Sequence, residues 1–121
     1  MNWNECWLRG YQHACGGKIE RHHILNHSKF PGWRKYSAKK AALDLLVVPV
    51  CSKHNAWHKT ADTPKARKIL TEKLIQEYGE EWVRWAFDQI LNKTKVRKNY
   101  SDLEFDAVMA YEVGTGKTDF I

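Results

Sequence analysis

No stretch of this chain is both long and apolar. The longest apolar run, Leu45 to Cys51, is interrupted by Pro49 and falls far short of the roughly 20 residues that a bilayer-spanning helix needs. The opening residues Met1-Asn2-Trp3-Asn4-Glu5 carry no basic segment followed by an apolar one, so no secretory signal is expected. Internal repeats and low-complexity segments are absent as well, which excludes solenoids and compositional linkers. Cysteine is scarce and odd in number, with Cys6, Cys15 and Cys51 only, and a pure disulfide framework cannot consume three thiols. They read as metal ligands in a reducing compartment, and the expectation is a soluble, intracellular protein. Acidic residues are the minority, 14 against 20 Lys and Arg, giving a formal charge of +6 and a pI near 9.3. That balance favours a polyanionic partner, of which nucleic acid is the commonest.

The 121 residues have room for one domain with a modest core, and 43% hydrophobic content with six Trp argues against disorder. A core this small invites a staple, and a structural metal is one. The histidines supply the ligand chemistry. His22 and His23 stand together in Glu20-Arg21-His22-His23-Ile24-Leu25, while His54 and His58 follow Cys51 in Val50-Cys51-Ser52-Lys53-His54-Asn55-Ala56-Trp57-His58. Imidazoles and thiolates grouped this way suit a divalent transition metal better than a packed core, because each buried imidazole needs partners on both nitrogens. His13 and His27, standing singly, read as surface or hydrogen-bonding residues.

The paired glycines of Cys15-Gly16-Gly17 allow the positive φ angles of a tight, metal-ligating knuckle. Lys18 to Leu25 alternates as a strand and Leu43 to Val50 is a second, β-branched one, so the two form a long hairpin. Between them lies a basic loop, Asn26 to Lys40, in which Lys29, Arg34, Lys35, Lys39 and Lys40 interleave with Phe30, Trp33 and Tyr36. With Lys59, these cations are the candidate contacts to nucleic acid. Ser52 is placed to cap a helix running through His58, which would set His54 and His58 on one face at i, i+4 and Asn55 beside His58 at i, i+3. Thr63 and Pro64 open another helix with Leu70, Leu74 and Tyr78 as its apolar stripe, and Gly79 stops it. A helix from Glu80 to about Asn92 places Trp82, Val83, Ala86, Phe87, Ile90 and Leu91 in the core. Residues 1–92 thus form the main domain, and 93–121 a basic linker (Lys93 to Lys98), a short helix opened by Ser101-Asp102-Leu103-Glu104, and a flexible tail. Val113 to Thr118 imitates half a phosphate-binding loop, but Tyr111 stands where its first glycine belongs.

A strand with a His-His pair, a loop, a second strand ending in Pro49-Val50-Cys51 and a helix bearing His54-Asn55 and His58 resemble the ββα-metal motif of HNH endonucleases. The resemblance covers roughly Cys6 to Lys59 and is closest to the zinc-stapled branch, including small HNH-like proteins of phages and prophages. It implies an α+β fold with a treble-clef-like ββα-metal core, a β-hairpin and following helices. That branch usually has Cys-x-x-Cys before the first strand and Cys-x-x-Cys-His at the helix start. Here the first pair is widened to Cys6-x8-Cys15, and His54 stands where the fourth cysteine belongs. Counted forward from Cys51, the structural zinc takes Cys6, Cys15, Cys51 and His54, and the catalytic metal takes Asn55 and His58. Counted back from His58, His54 and His58 bind the catalytic metal and His13 completes the structural site. Cys51-x-x-His54 preserves the knuckle spacing, which prefers the first count.

The activity implied by the resemblance is hydrolysis of phosphodiester bonds in DNA. His23 would be the general base, its other nitrogen held by a backbone carbonyl, and His22 would bind a catalytic Mg²⁺ or Mn²⁺. Strand alternation sends His22 and His23 to opposite faces, so a bulge or twist is expected if both serve one site. Two other classes stay open: a zinc-stapled nucleic-acid-binding module whose nuclease site has decayed, and a zinc-dependent interaction domain without nucleic acid.

Overall fold

The computed structural model describes residues 1–26, 37–93 and 102–112. Its centre is an antiparallel pair, β1 (Ile19–His23) and β2 (Val47–Cys51), in a register that sets Ile19 opposite Cys51 and His23 opposite Val47 without interruption. Every residue of β2 is buried. β1 covers one of its edges, and on the other the Trp7 N–H donates to the Pro49 carbonyl at 2.9 Å. The N and C=O of a strand residue point to the same edge, so the N–H that Pro49 lacks is missing from the Trp7 side and costs the β1–β2 ladder nothing.

Helices complete the molecule in a small α+β arrangement: α1 (Ser37–Leu43), α2 (Pro64–Tyr78), α3 (Glu80–Lys93) and α4 (Phe105–Ala110). α1 and α2 pack on α3, and α4 packs on α2. α2 begins as its sequence requires, with the Thr63 hydroxyl accepting from the Ala66 N–H and Pro64 in the first turn, and it ends at Gly79 with φ 90°. Val83, Ala86, Phe87 and Ile90 of α3 are buried, with Trp82 and Leu91 packed against the same core. Leu103, Phe105 and Val108 join this core from the far end of the chain, the Phe105 ring meeting Phe87 edge-on at 5.5 Å.

Several local expectations are corrected. The second strand begins at Val47, because Ser37–Leu43 is helical and Asp44–Leu46 continues it as a 3₁₀ turn; alanines and lysines there favour helix over strand. The segment after β2 is a π-helical turn, Lys53–Trp57, in which Trp57 N–H reaches Ser52 O and His58 N–H reaches Lys53 O. Ser52 does not cap it: its hydroxyl donates to the Lys18 carbonyl and to Glu20 Oε2, tying the turn to β1. Tyr78 is 46% exposed and lies against Trp82, outside the α2 core stripe of Ala66, Ile69, Leu70 and Leu74. The last helix starts at Phe105 with Glu104 in the cap position and no side-chain cap bond. Lys29, Arg34, Lys35, His27, the side chain of Lys39, most of the Lys93 to Lys98 linker, Ser101 and the Val113 to Thr118 segment lie outside the described residues.

Gly17 takes φ +77°, and a Cβ there would fall 2.6 Å from Ser52 Cβ, whereas one at Gly16 would meet Lys53 Cδ at 3.2 Å. Gly17→Ala should therefore destabilise the protein by about 2–4 kcal/mol, the combined range of left-handed strain and overpacking. Gly16→Ala, facing a flexible side chain, should shift stability by no more than about 1 kcal/mol. Urea unfolding of both variants gives the comparison, and equal midpoints would remove the argument.

Candidate metal centre and adjoining cavity

Three separate segments bring thiols to one point. The turn through Cys6 to Tyr11 delivers Cys6, the glycine knuckle delivers Cys15, and the end of β2 delivers Cys51 with His54 three residues on. Their four ligand atoms all lie within 4.8 Å of one another, with Cys6 and Cys51 buried and Cys15 exposed. His54 Nδ1 stands 3.0 Å from Cys51 Sγ and 3.9 Å from both Cys6 Sγ and Cys15 Sγ. A tetrahedral zinc with Zn–S of about 2.3 Å and Zn–N of about 2.0–2.1 Å has ligand–ligand edges of roughly 3.6–3.8 Å. The cluster is thus close to the size of a closed Cys3His zinc site.

Its surroundings suit that use. Backbone N–H groups of Leu8 and Cys51 point at Cys6 Sγ at 3.4 and 3.2 Å, as donors do toward a thiolate. The other nitrogen of His54 lies 2.7 Å from the Tyr11 carbonyl, which can only accept, so the proton sits on Nε2 and Nδ1 turns its lone pair to the thiols. Without a cation, burial pushes the Cys6 thiol up to about 12. Burial also opposes ionisation of Cys51, but hydrogen bonds, from the Gly16 and His54 backbone among others, outweigh it and bring that thiol down to about 6. His13 stacks on the His54 ring at 4.0 Å, with Nδ1–H on the Ala14 carbonyl and Nε2 on the Thr60 hydroxyl. It shields the centre without joining it, and the arrangement is the one counted forward from Cys51.

Across the same π-helical turn lies a polar cavity of about 160 Å³, walled by Arg21, His22, His23, Asn26, Asn55 and Asp62. His22 is buried, and its Nδ1 is 2.9 Å from Asn55 Oδ1. Glu20 fixes that amide: its Oε1 accepts from Asn55 Nδ2 at 2.9 Å, so Oδ1 is the atom turned to His22. Burial lowers the His22 pKa, opposed mainly by Asp62, and His22 Nε2 is buried without a well-formed hydrogen bond. His23 Nε2 stands 2.8 Å from Asp44 Oδ1, so the partner on that nitrogen is a carboxylate rather than a backbone carbonyl. No bulge separates the two histidines. Each keeps its own face, His22 toward Asn55 and His23 toward Asp44, and both border the cavity at the strand end.

His58 is not among the cavity walls; it is exposed and lies 5.0 Å from the His13 ring. The physical reason is the π turn. At about 4.4 residues per turn, i and i+3 no longer share a face, so the pairing of Asn55 with His58 expected of an α-helix is not formed. Lys59 then takes φ 54°, and a 3₁₀ turn, Thr60–Asp62, leads to Asp62 in the cavity wall. Lys40 and Lys59 are both exposed. Sequence reasoning missed Glu20, Asp44 and Asp62 as site residues. Glu20 was legible as the residue two before His22 on the same strand face, but Asp44 and Asp62 depend on long-range folding. Set against protein-family models, curated proteins and solved structures, the chain matches none.

One zinc per chain is the expected metal content, measured by atomic absorption, and Cys51→Ser or His54→Ala should abolish it. Chelation should open residues 1–60 to limited proteolysis, since the cluster ties three segments together. A native-like protease resistance in metal-free protein would contradict the staple.

Proposed function

We propose that the chain is a metal-dependent endonuclease of the HNH type, hydrolysing phosphodiester bonds in DNA. The observation that carries this reading is the juxtaposition of His22, His23 and Asn55 around one polar cavity beside a hairpin whose open end, at Cys51, holds the Cys3His cluster. A pI near 9.3 and exposed Lys40 and Lys59 suit a polyanionic substrate.

The cavity residues fit a catalytic divalent cation. His22 Nδ1 and Asn55 Oδ1 are 2.9 Å apart, close to the roughly 3.0 Å edge of an octahedral site with bonds of about 2.1 Å, so a cation there would replace the hydrogen bond that Nδ1–H gives the amide oxygen. His22 and Asn55 would hold the ion with Asp62 beside them, and Mg²⁺ or Mn²⁺ there supplies charge stabilisation to the phosphate oxygens. The rest is done by side chains. Asp44 accepts Nε2–H from His23, which orients the ring, and His23 is the base that takes a proton from the attacking water. The water oxygen bonds to phosphorus as the P–O bond to the leaving strand breaks. Arg21, in the cavity wall, offers a cation to the non-bridging oxygens. Glu20 keeps Asn55 turned inward and acts as a positioning residue.

One observation favours the second reading, a nucleic-acid-binding module with a decayed nuclease site: His58 stands apart from the cavity. Plasmid cleavage with Mg²⁺, Mn²⁺ or chelator tests the enzyme reading, and no cleavage with any divalent metal would overturn it. If the enzyme reading holds, His23→Ala should cut cleavage by about two orders of magnitude or more with zinc content unchanged. Asp44→Asn should cost roughly 10- to 100-fold and alter the pH profile of cleavage, because it acts through His23.

Glu20→Gln should raise the Mn²⁺ concentration needed for half-maximal cleavage by roughly 10- to 100-fold and be rescued by more metal, since it loosens the hold on Asn55 and on the Ser52 hydroxyl of the same turn without removing a ligand. A rate loss that added Mn²⁺ does not restore would place Glu20 in a structural role.

A further inference from the structure

Large aromatic side chains stand in water on one side of the molecule. Trp3 is 41% exposed, Tyr78 46% and Trp85 47%, and all three belong to one neighbourhood: the Tyr78 and Trp82 rings are 4.7 Å apart, Trp82 and Trp85 6.3 Å. Between Trp3 and this ladder runs a groove of about 310 Å³ whose floor is Leu45, Val47 and Leu74. Two charged residues complete its wall, Arg21 and Asp44. The Arg21 guanidinium lies 5.7 Å from the centre of the Trp3 ring, within range of a cation–π contact.

Both charged residues connect the groove to the polar cavity: Arg21 lines that cavity as well, and Asp44 is bonded to its wall residue His23. The groove therefore adjoins the place where a phosphodiester would be cut, with Arg21 between the two. Its lining mixes flat apolar rings with one cation and one carboxylate, which is the chemistry of base recognition: rings stack on a base whatever its identity, Arg21 faces the adjoining phosphate, and Asp44 accepts from an exocyclic amino group. A base inside a duplex cannot present its face to such rings.

We propose that the groove between Trp3 and the Tyr78–Trp82 pair holds an unpaired nucleobase of the DNA strand whose backbone enters the His22–His23 cavity. The site selects single-stranded, nicked or branched DNA over intact duplex. This rests on the nucleic-acid reading of the cavity, deepens it by naming the substrate class, and is tested by binding rather than by cleavage.

The test uses full-length, zinc-loaded protein in the His23→Ala background, to suppress cleavage, and fluorescence anisotropy with a labelled single-stranded oligonucleotide, the same oligonucleotide carrying abasic sites, and its duplex. Trp3→Ala and Tyr78→Ala sit on different elements and are exposed, so each provides an independent probe. Each should weaken single-strand binding roughly 5- to 150-fold, the range for losing one stacked base, and change duplex binding less than twofold. The abasic oligonucleotide should bind the parent as weakly as the intact one binds Trp3→Ala, with no further loss when the two changes are combined. Unchanged single-strand affinity in both variants overturns the proposal, as does an equal loss on duplex. Concentration-dependent dimerisation abolished by Trp3→Ala, with no effect on DNA, would assign the groove to a second copy of the chain and overturn it too. Failure of the nuclease reading looks different: wild type cuts nothing, while the aromatic dependence of binding persists.

Discussion

The meeting of Cys6, Cys15, Cys51 and His54 constrains everything around it. Three thiols held within 4.8 Å of one imidazole nitrogen are unfavourable as anions in a low-dielectric interior, since like charges at that range repel strongly. A divalent cation among them reverses the sign. The burial of Cys6 and Cys51, the N–H groups aimed at Cys6 and the Tyr11 carbonyl behind His54 together suit the shell of a thiolate-rich metal centre. Because its ligands come from the N-terminal turn, the glycine knuckle and the end of β2, the same centre holds Trp7 against Pro49 and places the π turn over the knuckle.

That turn connects structure to chemistry. His54 points inward to the thiols, while its neighbour Asn55 points across to His22 and Glu20. Adjacent residues on one tightly held turn thus serve the two sites, and a rigid staple sets the position of the cavity amide. On the other strand face Asp44 orients His23 in a comparable way. Both histidines have a carboxylate within reach, directly for His23 and through Asn55 for His22, so the unbroken register of β1 anchors each ring on its own face without a bulge.

Much of this was legible in the chain. Thr63, Pro64 and Gly79 bound α2 because their backbone chemistry is local, and the Cys51-x-x-His54 spacing places two ligands on one knuckle whatever the distant chain does. The apolar positions of α3 follow their 3.6-residue period into the core. Features that depend on non-local contacts could not be read. Ser52 looks like a helix cap until Lys18 and Glu20 compete for its hydroxyl, and that competition accompanies a π turn where an α-helix was expected. Tyr78 fits the apolar stripe by spacing, yet α3 turns back at Gly79 and leaves its ring against Trp82 at the surface. Asp44 lies 21 positions from His23, and only the hairpin register brings them together.

The π-helical turn from Lys53 to Trp57 makes length, rather than composition, the quantity under constraint in this part of the chain. Most substitutions at its outward positions leave the spacing of Cys51, His54 and Asn55 intact. Losing a single residue between Asn55 and Thr60 would tighten the winding toward an α-helix and rotate the downstream chain by about 100° around the axis, carrying Asp62 away from the cavity while every ligand of the thiol cluster stayed in place. Insertions and deletions here therefore uncouple the two sites, so that a lineage could keep the staple and lose the cavity in one step.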